Sequence, residues 1–205
     1  MNKEYNKLFI DRTKSIYLDI SPVDTNRTSK ISGNHPIYFD KVTNLVDRNK
    51  YYYFLTIGDE FSALLDKKCL SIFVRHDIFD IETIYPKFDM LCIVHEPTGY
   101  SSDTSLQHPN LTEGSLVFSK KEKADEARFI KIGGLPDLIQ DEDYYSKDLD
   151  KDGYGFIFQF DEFGYPDDFI KGNCPFAFGS VYFYGKTNNE SLSIENIIAG
   201  YFQFS

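Results

Sequence analysis

Two distant segments of the chain carry the same order of apolar, acidic and aromatic residues. Phe54-Leu-Thr-Ile-Gly-Asp-Glu-Phe61 matches Phe156-Ile-Phe-Gln-Phe-Asp-Glu-Phe163, and Leu70-Ser-Ile-Phe-Val74 matches Gly179-Ser-Val-Tyr-Phe183. Short runs of β-branched and aromatic residues, bounded by turn residues, are typical of strands. The repeat therefore predicts one domain of two related halves, 1–125 and 126–205, with repeat cores at 52–77 and 154–187.

The residues that link the two strands differ between the copies. Between Asp59 and Lys68, apolar residues recur at helical spacing and predict one short amphipathic helix. The second link, from Gly164 to Pro175, contains two glycines and two prolines and predicts a loop. Further strands are predicted at Ser15 to Ile20, Ile37 to Phe39, Met90 to His95, Ser115 to Phe118, Phe129 to Ile132 and Tyr201 to Phe204. We therefore expect a β-dominated α+β fold of antiparallel sheets with an internal duplication and few short helices.

The negative charge of the chain is concentrated in one segment. The net charge is −10, and the window 137–168 holds eleven acidic residues against two lysines, so this window alone carries −9. The other 173 residues therefore sum to only −1. Because DNA, RNA and anionic lipid surfaces reward clustered Lys and Arg, the sequence disfavours nucleic-acid and membrane partners and predicts a basic protein partner.

Tyrosines accompany the acidic residues of this window, and tyrosine beside carboxylates is a common composition of binding surfaces. Three of them lie among carboxylates and turn residues rather than in an alternating strand. The predicted interaction residues are Asp137, Asp141, Glu142, Asp143, Tyr144, Tyr145, Asp148, Asp150, Asp152, Tyr165, Asp167 and Asp168. The alternative is a solvated acidic surface that only keeps the protein soluble.

Cysteine usage and the apolar pattern both indicate a cytoplasmic protein. The first residues hold no apolar stretch long enough for a signal peptide, and no run approaches the roughly 18 apolar residues of a membrane span. Cys69, Cys92 and Cys174 are an odd number without CxxC spacing, so we expect reduced core thiols rather than disulfides or a zinc site.

One motif reproduces the front half of a calcium-binding loop. In Asp148-Leu-Asp150-Lys-Asp152-Gly153 carboxylates alternate and glycine holds the sixth position. The twelfth position, however, is Gln159 instead of the bidentate Glu, and the flanking residues resemble a strand rather than a helix. An acidic turn before a strand is the alternative, and we expect no metal or other cofactor.

Two histidines precede acidic residues at strand ends, in His76-Asp77 and His95-Glu96, and each is a candidate base for Cys69 or Cys92. No GxSxG, HExxH or family cysteine signature accompanies them. Histidines with satisfied hydrogen bonds are therefore expected at both positions, and we predict that the protein is not an enzyme.

Three short motifs resemble those of the YwqG-like family, a domain of unknown function also called DUF1963. They are Lys131-Ile-Gly-Gly-Leu-Pro-Asp-Leu-Ile-Gln140, Gly155-Phe-Ile-Phe-Gln-Phe-Asp161 and Phe178-Gly-Ser-Val-Tyr-Phe183. The resemblance implies a duplicated, mostly β fold without established chemistry, and some members act as immunity proteins of bacterial toxin systems. The first half departs from the pattern at Thr56 and Ile57.

The same motifs have physical interpretations. Gly133 and Gly134, followed by Leu135 and Pro136, favour a sharp turn at the end of a strand. Gln159 lies on the opposite strand face from its neighbouring phenylalanines and is expected to cap backbone groups.

Together these features favour an immunity protein that neutralises a toxin, such as a nuclease, through an acidic, tyrosine-bearing face. A non-catalytic housekeeping domain and a small hydrolase or calcium-binding module are the alternatives.

Overall fold

The computed structural model of the protein describes residues 15–23, 28–58, 65, 67–121, 126–188 and 193–204. Short 3-10 turns cover Ile78–Asp80, Asp143–Tyr145 and Glu162–Gly164. The strands are β1 (Ser15–Ser21), β2 (Lys30–Ile31), β3 (Tyr51–Ile57), β4 (Cys69–Arg75), β5 (Leu91–His95), β6 (Gly114–Phe118), β7 (Ile130–Gly133), β8 (Gly155–Asp161), β9 (Ser180–Asn188) and β10 (Ser193–Gln203), and the helices are α1 (Tyr38–Lys41) and α2 (Lys147–Lys151).

The ten strands of the described residues form one antiparallel sheet with the order β10-β9-β8-β7-β1-β6-β2-β3-β4-β5. The sheet curls until its two edge strands, β5 and β10, contact each other. The segment before β5 also pairs with β10, because the Tyr85 N–H donates to the Gly200 carbonyl at 2.7 Å and the Phe202 N–H to the Thr83 carbonyl at 3.0 Å. The predicted β-dominated, antiparallel α+β fold is confirmed.

The strand order is symmetric about the contact between β1 and β6. It reads the same from either end when β1 to β5 are exchanged with β6 to β10. We call β1 to β5 the first repeat and β6 to β10 the second repeat. The first strand of each repeat pairs with a strand of the other, since β1 pairs with β7 and β6 pairs with β2. By this symmetry β6 is the counterpart of β1, although the division at residues 125 and 126 leaves β6 in the first half; that division stays a prediction.

Matching β-bulges set the register between the repeats. Phe54 has no partner between Tyr53 and Leu55 in the ladder with β4, and one unpaired residue likewise follows Phe156 in the ladder with β9. Tyr53 is therefore the counterpart of Phe156, one residue away from the match that the sequence suggested. With this register, Thr56, Ser71 and His95 correspond to Gln159, Tyr182 and Gln203.

The turn after β2 repeats the turn after β7. Lys30 pairs with Thr56 as Lys131 pairs with Gln159, so Lys30-Ile-Ser-Gly33 is the counterpart of Lys131-Ile-Gly-Gly134. The third and fourth residues of both runs have positive φ angles, between 57° and 74°. These backbone conformations confirm the sharp turn predicted at Gly133 and Gly134.

Aromatic rings fill the core between the repeats. Phe158 and Phe183 stack with ring centroids 4.3 Å apart, and Phe54 of the first repeat lies 4.9 Å from Phe160 of the second. All four side chains are fully buried. Apolar contacts between the two repeats therefore stabilise the fold. These contacts bury one face of the sheet away from water.

Two local predictions met different outcomes. Residues 37–39, predicted as a strand, enter α1 instead, because the Phe39 N–H bonds to the Pro36 carbonyl at 3.1 Å and the Phe39 ring lies 4.8 Å from Phe73. The helix predicted between Asp59 and Lys68 lies largely outside the described residues.

Within the described ranges, no helix has the length and apolar composition of a membrane-crossing segment.

Candidate functional site

The acidic window does not form one continuous face, because β8 divides it. Asp152 precedes this seven-residue strand and Asp161 ends it, so the two carboxylates are separated by about 20 Å of extended chain at ~3.3 Å per residue. The acidic residues therefore form two groups. The first, which we call the acidic segment, is residues 141–152; the second is Asp161, Asp167 and Asp168, which follow along the chain, and Asp137 lies beside Gln159 of β8.

The acidic segment combines the 3-10 turn at Asp143–Tyr145 with α2. Its six carboxylate residues are all exposed, and no Lys or Arg of the described residues forms an ion pair with any of them. They are Asp141, Glu142, Asp143, Asp148, Asp150 and Asp152. With Lys147 and Lys151 included, the segment carries −4. The Tyr85 hydroxyl donates to Asp152 at 2.8 Å, but this bond leaves the negative charge in place. Exposed carboxylates at this density attract a cationic partner.

Three polar side chains fasten the chain just before the acidic segment to the sheet. Gln159 accepts the Asp137 N–H at 2.7 Å, and its amide donates back to the Asp137 carbonyl at 3.2 Å. The Tyr182 hydroxyl donates to the same carbonyl at 2.7 Å, and Gln203 accepts the N–H groups of Ile139 and Gln140 at 2.9 and 3.1 Å. The prediction that Gln159 caps backbone groups is confirmed, and the acidic segment begins from a fixed point.

The calcium-like motif is the end of a helix. The Tyr154 N–H bonds to the Leu149 carbonyl at 2.9 Å and the Gly153 N–H to the Asp150 carbonyl at 3.1 Å, the two bonds of a Schellman motif. Gly153 supplies the required positive φ of 77°. Asp148, Asp150 and Asp152 do not gather into a ligand cluster among the described residues. The alternation of carboxylates therefore reflects a helical turn with a buried Leu149.

The three predicted tyrosines have different environments. Tyr144 is 55% exposed and its ring stacks on Tyr145 at 4.2 Å, while Tyr145 is half-buried against Tyr201. Burial raises the pKa of Tyr145 to about 12. Tyr165 lies between Phe129 and Phe169, with centroids 5.2 and 5.5 Å away. Tyr144 is thus available to a partner, whereas the Tyr165 ring is partly buried and packs against the core, so the packing of Tyr165 argues against its assignment to an interface, which stays a prediction.

Glu162, in the second part of the window, is a buried structural carboxylate. One oxygen accepts the N–H groups of Phe176 and Phe178, both at 2.9 Å, and the Cys174 thiol at 2.8 Å; the other accepts the Tyr165 hydroxyl at 3.1 Å. Burial nevertheless raises the pKa of Glu162, since loss of water outweighs these four bonds. This carboxylate orders the link between β8 and β9 and does not contribute to the exposed acidic surface.

A chain of hydrogen bonds runs through the first repeat at the positions that correspond to Gln159, Tyr182 and Gln203. Tyr53 donates to Thr56 at 2.8 Å, Thr56 and Ser71 are 2.6 Å apart, and Ser71 is 2.8 Å from His95 Nε2. His95 Nδ1 faces the carbonyl of Glu96 at 2.8 Å. Each group can donate to the next, ending at a His95 that donates from Nδ1.

This hydrogen-bond network brings Ser71 and His95 to the separation of a nucleophile and its base. The sequence motifs did not indicate this pair, because the two residues are far apart along the polypeptide. His95 is 3% exposed and lies beneath the rings of Tyr38 and Phe39, at 4.9 and 5.0 Å. Ser71 is fully buried. Burial also lowers the pKa of His95 and raises that of Cys92 to about 12. These values and the buried rings fit a satisfied core network better than a nucleophilic site.

A second cluster brings His35, Asp40 and Asp103 within ligand distance of one another. Arg48 contacts both carboxylates and so supplies the positive charge between them. His35 Nε2 lies 2.9 Å from Asp40, and its fully buried Nδ1 has no partner. Metal binding through Nε2 would move the ring proton to Nδ1, where no acceptor lies, so the geometry disfavours a metal there.

The chain matches no protein-family model, no curated protein and no solved structure. The resemblance to the YwqG-like family therefore stays a prediction that rests on the short motifs quoted above.

Proposed function

We propose that the protein is a binding protein that docks a basic protein partner on the acidic segment. The observation that carries this proposal is the set of six exposed carboxylates that form no ion pair with a described Lys or Arg, within a window, 137–168, that holds −9 of the net charge of −10. Neutralisation of a toxin, as the resemblance to the YwqG-like family implies, is the biological role that we attach to this docking. A toxin that acts on nucleic acid would present the required basic surface.

The arrangement favours fast association. A concentrated field of one sign steers an oppositely charged partner, raising association rates by roughly 10- to 1,000-fold at low salt. The three side chains that hold residues 137–140 reduce the ordering that binding would otherwise require. Tyr144, stacked on Tyr145, adds an exposed aromatic ring among the charges.

The test begins with affinity purification of this chain from its own cells; recovery of no basic protein would count against the proposal. Association rates of the purified pair are measured at low and high salt for the natural sequence and for a variant with Asp141→Asn, Glu142→Gln, Asp143→Asn, Asp148→Asn, Asp150→Asn and Asp152→Asn. We expect the variant to associate about tenfold more slowly at low salt, with a flatter salt dependence and an unchanged circular dichroism spectrum.

The control variant neutralises Asp80 and Glu96, which are exposed on the first repeat, and leaves Glu82 unchanged because the nearby Tyr85 hydroxyl donates to Asp152. It should retain the natural rate within about twofold, since a charge outside the contact region steers weakly through ~10 Å of screening at 0.1 M salt. An unchanged rate and salt dependence in the six-site variant would rule out the proposed docking segment.

A further inference from the structure

Three exposed phenylalanines lie at one end of the second repeat. Phe163 follows β8, Phe178 precedes β9 and Phe204 follows β10, and they are 54%, 49% and 49% exposed. The rings of Phe163 and Phe178 are 6.0 Å apart, and Phe204 contacts Phe202, whose ring reaches Gly179. Because β8, β9 and β10 are neighbours, the three rings border a single surface, which we call the phenylalanine surface. Grouped apolar side chains of this size mark interaction sites.

A cavity of about 350 Å³ opens beside Phe163. Its lining includes Tyr17, Asp137, Gln159 and Asp161. One oxygen of Asp161 accepts the Phe163 N–H at 2.9 Å, and Asp137 forms an ion pair with Lys131. Pockets for small groups start at roughly 300 Å³, so this cavity has room for one long side chain.

The charges of the lining favour a cationic occupant. Glu126, Asp137 and Asp161 oppose Arg128 and Lys131, which leaves −1. Arg128 lies over the Tyr17 ring at 4.6 Å and directs its nitrogens to the carbonyls of Lys121 and Glu126. Asp161 forms no ion pair with any described Lys or Arg. The cavity thus offers the Asp161 carboxylate, together with Asp137, in a lining that includes the rings of Tyr17, Phe129 and Phe163.

We propose that the phenylalanine surface is the energetic centre of the partner interface and that its cavity receives an arginine side chain of the basic partner. The guanidinium lies between Asp137 and Asp161, and the phenylalanines cover apolar side chains around it. This inference rests on the proposed function and adds where the partner is held after it arrives. Arginine fits better than lysine because its planar fork bonds two carboxylates and stacks on aromatic rings.

The first repeat supplies an internal comparison. A related cavity lies at Lys30, the counterpart of Lys131, and is lined by Glu113 and Ser115. Ser115 stands at the position of Tyr17, and Gly58 stands at the position of Asp161. Among the described residues, the lining of the first cavity therefore has no counterpart of the Tyr17 ring or of the Asp161 carboxylate.

The first test is an NMR titration with N-acetyl-arginine methylamide, and the uncharged citrulline analogue is the matched control. We expect saturable shifts at the amides of residues 129–131, 137 and 159–163, with a dissociation constant on the order of 1–10 mM. Asp161→Asn should weaken this binding at least fivefold, whereas Asp80→Asn leaves it unchanged. Absence of saturation, or equal shifts with citrulline, would overturn the cavity assignment.

The second test measures dissociation of the purified partner. Replacing Phe163, Phe178 and Phe204 by alanine should raise the dissociation rate about 100-fold with little change in association rate, since buried aromatic anchors act on the lifetime of a complex. Phe79→Ala, which removes a ring that is 57% exposed on the first repeat, is the control.

The outcomes separate this inference from the proposed function. If the six-site variant of the acidic segment associates slowly while the phenylalanine variant dissociates at the natural rate, the inference fails and the proposed function stands. If sedimentation shows a dimer that the phenylalanine variant converts to a monomer, a second copy of the chain covers this surface, and the inference is likewise overturned.

Discussion

Replacing Glu162 tests the structure at the buried carboxylate that joins β8 to β9. Glu162→Ala leaves the N–H groups of Phe176 and Phe178, the Cys174 thiol and the Tyr165 hydroxyl without their acceptor. A buried donor without a partner costs roughly 1–3 kcal/mol. Because some of these groups can relax toward water, we expect a total loss of about 4 kcal/mol.

Glu162→Gln should behave very differently. The amide oxygen can accept from Phe176, Phe178 and Cys174, and the Tyr165 hydroxyl can rotate to accept from the new NH₂ group. The variant also avoids the cost of burying a charge. In the natural protein this cost outweighs the hydrogen bonds to the carboxylate, since the pKa of Glu162 is raised. We therefore expect a stability within about 1 kcal/mol of the natural protein.

The same pKa predicts a pH dependence. The folded pKa of Glu162 lies above its ordinary value of 4.5, so the folded state binds more protons than the unfolded state between these two values. The contribution of Glu162 to the free energy of unfolding is therefore greatest below pH 4.5 and falls as pH rises through the folded pKa. Glu162→Gln lacks this change, so the difference between the two proteins isolates it from other carboxylates.

Thermal and urea unfolding across this pH range provide the measurement. Glu162→Ala should lower Tm by about 10 °C, at roughly 2–4 °C per kcal/mol for a chain of this size. The reasoning is refuted if Glu162→Ala and Glu162→Gln are equally stable, or if the natural protein gains stability relative to Glu162→Gln as pH rises above 4.5.

Two further predictions concern glycines and calcium. Gly164→Ala should cost about 3 kcal/mol or prevent folding, because its Cβ would lie 2.3 Å from the Phe129 nitrogen, whereas Gly155→Ala meets nothing within 4 Å and should be tolerated; urea unfolding compares the two, and equal stability would contradict the packing at residue 164. Since the calcium-like motif is a helix end, about 5 mM calcium should change Tm by less than ~1 °C relative to magnesium, and a calcium-specific rise of several degrees would contradict this.

Much of the sheet was predictable because its strands are local patterns. Alternating rings in residues 156–160 and the paired glycines at 133 and 134 carry their structure in a few neighbouring residues. The exchange of β1 and β6 between the repeats was not predictable, since it depends on pairing between distant segments. Residues 37–39 resemble a strand, yet the bond to the Pro36 carbonyl and the burial of Phe39 select a helical turn.

The candidate site was predictable in composition but not in arrangement. The carboxylates of the acidic segment are exposed, as their polarity predicts. Their separation from Asp161 became apparent only from the path of β8, which runs between Asp152 and Asp161. The exposure of aromatic side chains could not be predicted from their spacing, since Tyr165 packs against the core and Phe163 is exposed although the two are nearly adjacent. The one signal for Phe163 was its place in the repeated Asp-Glu-Phe motif.

The central claim is that a basic partner binds the second repeat at the acidic segment and the phenylalanine surface. Hydrogen exchange of the protein with and without its purified partner tests this most directly. We predict slowed exchange at residues 137–152 and near Phe163, Phe178 and Phe204, with no change in β3, β4 and β5. Slowed exchange confined to the first repeat, or none at residues 137–152, would contradict the claim.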